Sequence, residues 1–189
     1  MMPSAGKWLL IAVWVGSEIV LAIARRSRDR TGPSLDRSSL RVVWITIWLA
    51  VAAAILLAGL RWGAFGGRWP GWGTLGVALI LAGLAFRWWA ILTLRHSFTV
   101  DVAVKSGQQV IEGGPYAFVR HPSYTGMLIS FLGMGLMLRH WTSLIVLLVP
   151  ITAALLYRIG VEEQALVAGL GDAYTSFMRR RRRLVPGIY

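Results

Sequence analysis

Long apolar runs separated by short polar segments make up most of the sequence. Five runs approach the roughly 20 residues that a helix needs to cross a bilayer, and they cover residues 8–24, 42–60, 74–94, 124–138 and 141–157. Only Arg139 and His140 separate the last two runs, which predicts a tight helical hairpin, with one re-entrant unit as the alternative. The pattern therefore predicts an all-α, polytopic membrane helix bundle of about five transmembrane helices, in one integral membrane domain over residues 1–189.

Composition agrees with this fold class and excludes several kinds of chemistry. Of the 189 residues 56% are hydrophobic, whereas soluble domains are a little under half apolar. The sequence contains no cysteine, which excludes disulfides, thiolate metal sites and a cysteine nucleophile. Its three histidines, His96, His121 and His140, have no metal-ligand spacing, so we predict no metal site.

The basic residues predict the orientation in the membrane, because short loops rich in Lys and Arg remain cytoplasmic. Six arginines lie between the first two runs, in residues 25–41, and five follow the last run, at Arg179–Arg183. We therefore expect the C-terminus and the connection 95–121 to be cytoplasmic. The net charge of +12 lies mainly beside predicted spans, which indicates anionic lipid headgroups as partners and not nucleic acid. The run Arg179–Arg183 is interpreted as a topology signal and lipid contact, and Arg87 is expected to snorkel towards the cytoplasmic interface.

Two polar segments, 108–124 and 157–174, are expected on the same membrane face. In the first, His121-Pro122 opens a predicted helix, with proline where its missing N–H costs nothing. A helix start favours anionic groups, and His121, Ser123 and Tyr124 add side-chain donors. The simpler interpretation is that Pro122 only starts the helix and Tyr124 is an interfacial anchor.

In the second segment, Arg158 and Glu162 are four residues apart, so they lie on one helical face and can pair. The adjacent carboxylates of Glu162 and Glu163 suit a substrate group with an ammonium or sulfonium charge, which needs a negative partner away from water. The alternative is a snorkelling arginine and a solvated helix end.

These residues together resemble the isoprenylcysteine carboxyl methyltransferase family. The resemblance rests on Gly114-Pro115-Tyr116, Arg120-His121-Pro122-Ser123-Tyr124, Arg158, Glu162-Glu163, Gly171 and Tyr174. The wider superfamily, which includes phospholipid N-methyltransferases, is similar in the same two blocks. The resemblance implies three N-terminal membrane helices in residues 1–94 and a catalytic half in residues 95–189 that encloses S-adenosylmethionine in a cytoplasmic pocket.

The resemblance also implies roles for individual residues. Arg158 would bind the carboxylate of the acceptor, an isoprenylcysteine-like small molecule or protein, and Glu162 would meet the cofactor's amino group. The remaining cofactor-binding residues that it implies are Gln108, Gln109, Val110, Ile111, Tyr116, His121, Pro122, Ser123 and Tyr124. A carboxylate is already ionised near neutral pH, so methyl transfer to it needs positioning and no general base.

Three other functions remain open at this level: a phospholipid N-methyltransferase, a sterol-reductase-like NADPH enzyme and a non-enzymatic membrane scaffold. Residues 71–76 also satisfy the G-x-G-x-x-G pattern of dinucleotide-binding folds. That motif should follow a β-strand, whereas here it precedes an apolar run. We therefore expect its glycines to form a loop and a helix start. The sequence contains no signal for an oligomeric state.

Overall fold

The computed structural model describes residues 6, 12–18, 34–60, 63–65, 71–94 and 109–188. Within these ranges the helices are α1 (Ser34–Ala58), α2 (Gly71–Leu94), α3 (Pro122–Leu138), α4 (Trp141–Leu170) and α5 (Asp172–Arg180), and residues 12–18 are also helical. A short 3₁₀ turn, Gly114–Ala117, precedes α3. Three segments are long and apolar enough to cross a membrane, namely Ser38–Ala58, Gly71–Leu94 and Trp141–Leu170, and Pro122–Leu138 is a shorter apolar helix. The predicted all-helical membrane fold is confirmed.

The predicted spans differ from the helices mainly at their ends. The apolar run 141–157 ends before Arg158, whereas α4 continues to Leu170 and places Arg158 and Glu162 in one helix, as their four-residue spacing predicted. The helix can continue because neighbouring elements bind these charged side chains, as described below. The helix of the third apolar run, α2, begins at Gly71 and not at residue 74. Of the run 8–24, residues 12–18 are helical and the rest lies outside the described residues.

Glycines allow α2 and α3 to approach each other closely. A Cβ atom added at Gly83 would lie 2.5 Å from the carbonyl oxygen of Gly126, and one added at Gly133 would lie 2.5 Å from that of Gly76. Gly76 and Gly83 are seven residues apart in α2, hence on one face, and so are Gly126 and Gly133 in α3. Gly76 meets Gly133 and Gly83 meets Gly126, so the contacts run in opposite directions along the two helices. The two helices are therefore antiparallel with backbones in contact, a packing that small residues permit in membranes.

The predicted hairpin between α3 and α4 is confirmed. Arg139 ends α3 in the left-handed conformation, with φ of 55°, and His140 is buried. The loop after α1 fastens this turn, because Phe65 N–H donates to the Arg139 carbonyl at 3.1 Å and Trp141 N–H donates to the Gly63 carbonyl at 2.8 Å. This turn joins the ends of α3 and α4 that lie away from the two polar segments.

Two apolar clusters place the polar segments at the other end. The larger cluster fills the space between the long helices and includes the fully buried Ile80, Leu147, Ile151 and Leu155. The smaller cluster joins Ala90 of α2, Tyr116 of the 3₁₀ turn, and Tyr174 and Phe177 of α5. It holds the turn and α5 over the start of α3 and the last part of α4.

Candidate functional site

Buried polar side chains collect at the end of the bundle where α1 and α3 begin. The buried or half-buried members are Ser39 of α1, Arg87 of α2, His121 just before α3, Ser123 and Tyr124 in its first turn, and Arg158, Glu162 and Glu163 of α4. In an apolar bundle such groups are costly unless they are paired. Their partners define three connected sets.

The first set joins the two sequence motifs. The Tyr124 hydroxyl donates to Glu162 Oε2 at 2.9 Å, and His121 Nδ1 lies 4.0 Å from the same oxygen. The rings of His121 and Tyr124 stack with centroids 5.7 Å apart. The Glu162 side chain keeps 28% of its exposure, whereas that of His121 keeps 4%. Glu162 thus presents an accessible carboxylate whose orientation Tyr124 fixes.

Arg158 extends this set towards α1. Its side chain donates to the Ser39 hydroxyl at 2.7 Å, and a second hydrogen bond joins it to the Tyr124 phenol. Arg158 therefore reaches Glu162 through Tyr124, across the four-residue spacing noted in the sequence. The residue is only 2% exposed, so the alternative of a snorkelling arginine is wrong.

The second set centres on Glu163, which was predicted together with Glu162 to be a partner for a positively charged substrate group. Oxygen Oε1 lies 3.2 Å from His121 Nε2 and 3.0 Å from Arg120 Nη2, and Oε2 lies 2.8 Å from Arg183 Nη2. The Glu163 side chain is 4% exposed. Arg183 was expected to contact lipid with the rest of Arg179–Arg183; in the structure its guanidinium binds the buried carboxylate of Glu163.

The third set connects Ser123 to α2 and to the N-terminal helical segment. Arg87 binds Glu18 with two hydrogen bonds of 2.6 Å and also donates to the Ser123 hydroxyl at 2.5 Å. Arg87 is 6% exposed, so the expectation that it snorkels is wrong. An arginine inside an apolar run was the sequence signal for a buried partner, and Glu18, an acidic residue inside the run 8–24, carries the same signal.

The remaining predicted cofactor residues that the structure describes lie just before the 3₁₀ turn, within it, or at the start of α3. Val110 and Ile111 are half-buried and pack with Tyr116 in the smaller apolar cluster, whereas Gln109 is exposed. Burial raises the pKa of the Tyr116 phenol, and the charge of Glu162 raises it further. Pro122 is buried as the first residue of α3. Gln108 lies outside the described residues.

The same burial effect acts on Tyr174 of α5. Burial raises the pKa of its phenol, and the charges of Glu163 and then Glu162 add to the shift. Tyr116 and Tyr174 are therefore neutral hydrogen-bonding groups at physiological pH. Both lie close enough to Glu162 for its charge to raise the pKa of the phenol.

A small apolar cavity of about 50 Å³ opens between residues 12–18, α1 and α3. Tryptophans dominate one wall and α3 forms another; the lining includes Trp14, Glu18, Trp44, Trp48, Met127 and Phe131. Tyr124 precedes Met127 by three residues and Phe131 by seven, hence lies on the same helical face, and it packs against the same cluster. The face that lines the cavity thus leads to the hydrogen-bonded pair of Tyr124 and Arg158.

The model of the "Isoprenylcysteine carboxyl methyltransferase (ICMT) family" matches residues 76–168, a range that contains the first polar segment and the second as far as residue 168, but not Gly171 and Tyr174. The predicted family resemblance is confirmed. The ICMT-like range begins in α2 and ends near the C-terminus of α4, so it includes Arg87, the start of α3 and all three charged residues of α4.

Individual relatives extend this similarity along the chain. "Protein-S-isoprenylcysteine O-methyltransferase B" of Arabidopsis thaliana is 28% identical over 187 residues, which cover 96% of this chain and 91% of that protein. "Protein-S-isoprenylcysteine O-methyltransferase" of Schizosaccharomyces pombe is 31% identical over 117 residues, so the chain spans about half, 48%, of that relative. "Uncharacterized protein YpbQ" of Bacillus subtilis is 23% identical over 169 residues, with 84% of this chain and 95% of that protein covered.

A solved structure shows the same fold. The eukaryotic intramembrane Ras methyltransferase ICMT superimposes with a TM-score of 0.64 over 95% of this chain and 64% of that chain, at 20% sequence identity. Together with the three long apolar helices, this similarity identifies the chain as an integral membrane protein with the ICMT fold.

Proposed function

We propose that the protein is an S-adenosylmethionine-dependent methyltransferase that methylates the carboxylate of a lipidic, isoprenylcysteine-like acceptor at the cytoplasmic end of the bundle. One observation carries the proposal: the buried guanidinium of Arg158 lies beside Tyr124, on the face of α3 that leads to an apolar cavity. The names of the curated relatives and the shared fold support the same reaction class.

The two parts of this arrangement suit the two parts of the acceptor. Arginine offers a planar, two-pronged donor for a carboxylate and remains charged when buried. The tryptophan-lined cavity offers apolar surface to a hydrocarbon chain, which gains about 25 cal/mol for each Å² removed from water. An amine acceptor, as in phospholipid N-methylation, would instead place a cation beside Arg158, so the carboxylate is the better match.

The polar side chains at this end of the bundle also fit the cofactor. Glu162 is the accessible carboxylate of the set, and it would pair with the ammonium group of S-adenosylmethionine, while His121, Tyr124 and Tyr116 would line the same pocket. The segment 109–111 and Pro122 would complete the wall. When bound, S-adenosylmethionine supplies an electrophilic methyl group on a sulfonium. In this proposal residues 95–189 form the catalytic half, to which Ser39 of α1 contributes through Arg158.

The chain's own residues then act by positioning. The acceptor carboxylate is ionised at neutral pH and needs no base. Arg158 holds the carboxylate in one orientation, and Ser39 and Tyr124 hold Arg158. Fixing reactants in a near-attack geometry can account for several orders of magnitude in rate.

Calorimetric titration of the purified protein in detergent tests the cofactor assignment. S-Adenosylmethionine and its demethylated product should bind, and NADPH should not. Glu162→Gln should weaken binding by roughly 10- to 100-fold, because a hydrogen bond to a charged group contributes about 1.5–3 kcal/mol. Asp172→Asn is the matched control, since Asp172 is an exposed carboxylate at the start of α5. Binding of NADPH instead, or equal affinities in both variants, would contradict the proposal.

A further inference from the structure

The chain that follows α5, residues 181–184, lies against the backbone that leads into α3. Val119 and Arg182 pair in parallel, and Leu184 is buried. Three hydrogen bonds hold this tail: Arg120 N–H to the Arg182 carbonyl at 2.8 Å, His121 N–H to the Arg183 carbonyl at 3.0 Å, and the Thr125 hydroxyl to the Leu184 carbonyl at 2.7 Å. The tail is therefore fixed beside His121.

From this position Arg183 binds the far oxygen of Glu163. Its Nε and Nη2 groups both donate to Oε2, at 3.0 and 2.8 Å, while Oε1 faces His121 and Arg120. A guanidinium on one oxygen restrains the rotation of the carboxylate and so keeps the other oxygen directed at the histidine. Such charge-assisted bonds are stronger than neutral ones.

The orientation of Glu163 determines which nitrogen of His121 carries a proton. Two guanidinium groups keep the carboxylate ionised, and an ionised carboxylate can only accept hydrogen bonds. Nε2, 3.2 Å from Oε1, must therefore be the protonated nitrogen. The other nitrogen, Nδ1, is directed towards Glu162, 4.0 Å away.

We propose that Arg183 is a positioning residue, which holds Glu163 in the rotation that fixes His121 as the Nε2–H tautomer and directs Nδ1 towards the Glu162 carboxylate. Its effect on cofactor affinity rests on the proposed function, but the effect on the histidine does not. Within the basic run, Arg183 binds Glu163, whereas Arg180 binds Glu112 and the side chains of Arg179 and Arg182 are exposed.

The experiment compares two arginines that are adjacent in the chain. The full-length protein is labelled with ¹⁵N-histidine in detergent at pH 8, and the His121 ring signals are assigned by their loss in His121→Asn. The wild type should show His121 as one Nε2–H tautomer. Arg183→Gln should give a mixture with Nδ1–H and about tenfold weaker S-adenosylmethionine binding. Arg182→Gln removes the same charge from an exposed position and should change neither quantity.

A conservative variant separates positioning from general destabilisation. Arg183→Lys keeps a cation but not the paired N–H groups. The fraction of His121 in the Nδ1–H form should therefore lie between those of the wild type and Arg183→Gln. If Arg183→Gln does not fold, the comparison of Arg183→Lys with the wild type tests the proposal. An unchanged His121 spectrum in the Arg183 variants, or an equal change in Arg182→Gln, would overturn the proposal. If the wild type binds no S-adenosylmethionine, the proposed function fails while the tautomer measurement still tests Arg183.

Discussion

Arg158 and Tyr124 form the contact on which both halves of the proposed reaction depend. Arg158 is bonded to Ser39 and Tyr124, and Tyr124 is bonded in turn to Glu162. The guanidinium can therefore act directly on an acceptor carboxylate, or only hold Glu162 in place through the phenol. These roles have different consequences for binding and for rate.

Replacing each residue alone distinguishes the two roles. If Arg158 binds the acceptor, Arg158→Ala should lower the initial rate with a small prenylated cysteine carboxylate by roughly 10- to 100-fold and leave cofactor affinity nearly intact. Arg158→Lys should restore only part of the rate, because an ammonium lacks the planar fork. Tyr124→Phe removes the link to Glu162 and should weaken cofactor binding instead. Equal loss of cofactor affinity in Arg158→Ala and Tyr124→Phe would assign Arg158 the supporting role.

The sequence indicated some of these residues and not others for a physical reason. His121, Tyr124, Arg158 and Glu162 lie in local patterns: a helix start with proline, and charges four residues apart that follow an apolar run. Their closest partners are remote in the chain, as in the contact between Arg158 and Ser39, which are 119 residues apart. No periodicity relates such positions, so only the packing of the helices reveals them.

At the scale of the helices, the apolar pattern predicted where helices form but not how they pack. The glycines of residues 71–76 were expected to form a loop and a helix start; α2 does begin at Gly71, but Gly76 lies inside the helix and contacts Gly133. The last apolar run ends at residue 157, where charged residues begin. In the structure those charges have buried partners, so α4 continues. Hydrophobicity alone does not distinguish a charge that faces solvent from one that faces a partner.

The close contact between α2 and α3 leads to a stability prediction. Gly83→Ala should lower the thermal unfolding temperature in detergent, with a cost of about 1–3 kcal/mol, because the new methyl group would meet the backbone of Gly126. Gly160→Ala is the matched control in α4, since a Cβ there has nothing within 4 Å. Alanine is favoured over glycine in a helix by about 0.5–1 kcal/mol, so the control should be neutral or stabilising. Equal behaviour of the two variants would contradict direct backbone contact.

At the scale of the whole molecule, the antiparallel helices bring all the polar segments to one end of the bundle. Ser39 is near the beginning of α1, His121 precedes α3, and Arg158 and Glu162 lie in the later half of α4. The opposite end consists of the loop after α1 and the turn at Arg139 and His140. A polar cofactor from the cytosol could reach the first end only if that end faces the cytoplasm, as the distribution of arginines predicts.

The absence of cysteine from the sequence permits a direct test of this orientation with single cysteines and a membrane-impermeant maleimide. Leu60→Cys marks the end opposite the site and Arg179→Cys marks α5; both positions are exposed. In intact cells the reagent should label Leu60→Cys and leave Arg179→Cys unlabelled, and in inside-out vesicles the pattern should reverse. The unchanged protein, which has no thiol, gives the background. Labelling of Arg179→Cys in intact cells would place the Arg158 and Glu162 cluster on the external face, where cytosolic S-adenosylmethionine could not reach it, and the proposed function would fail with the topology.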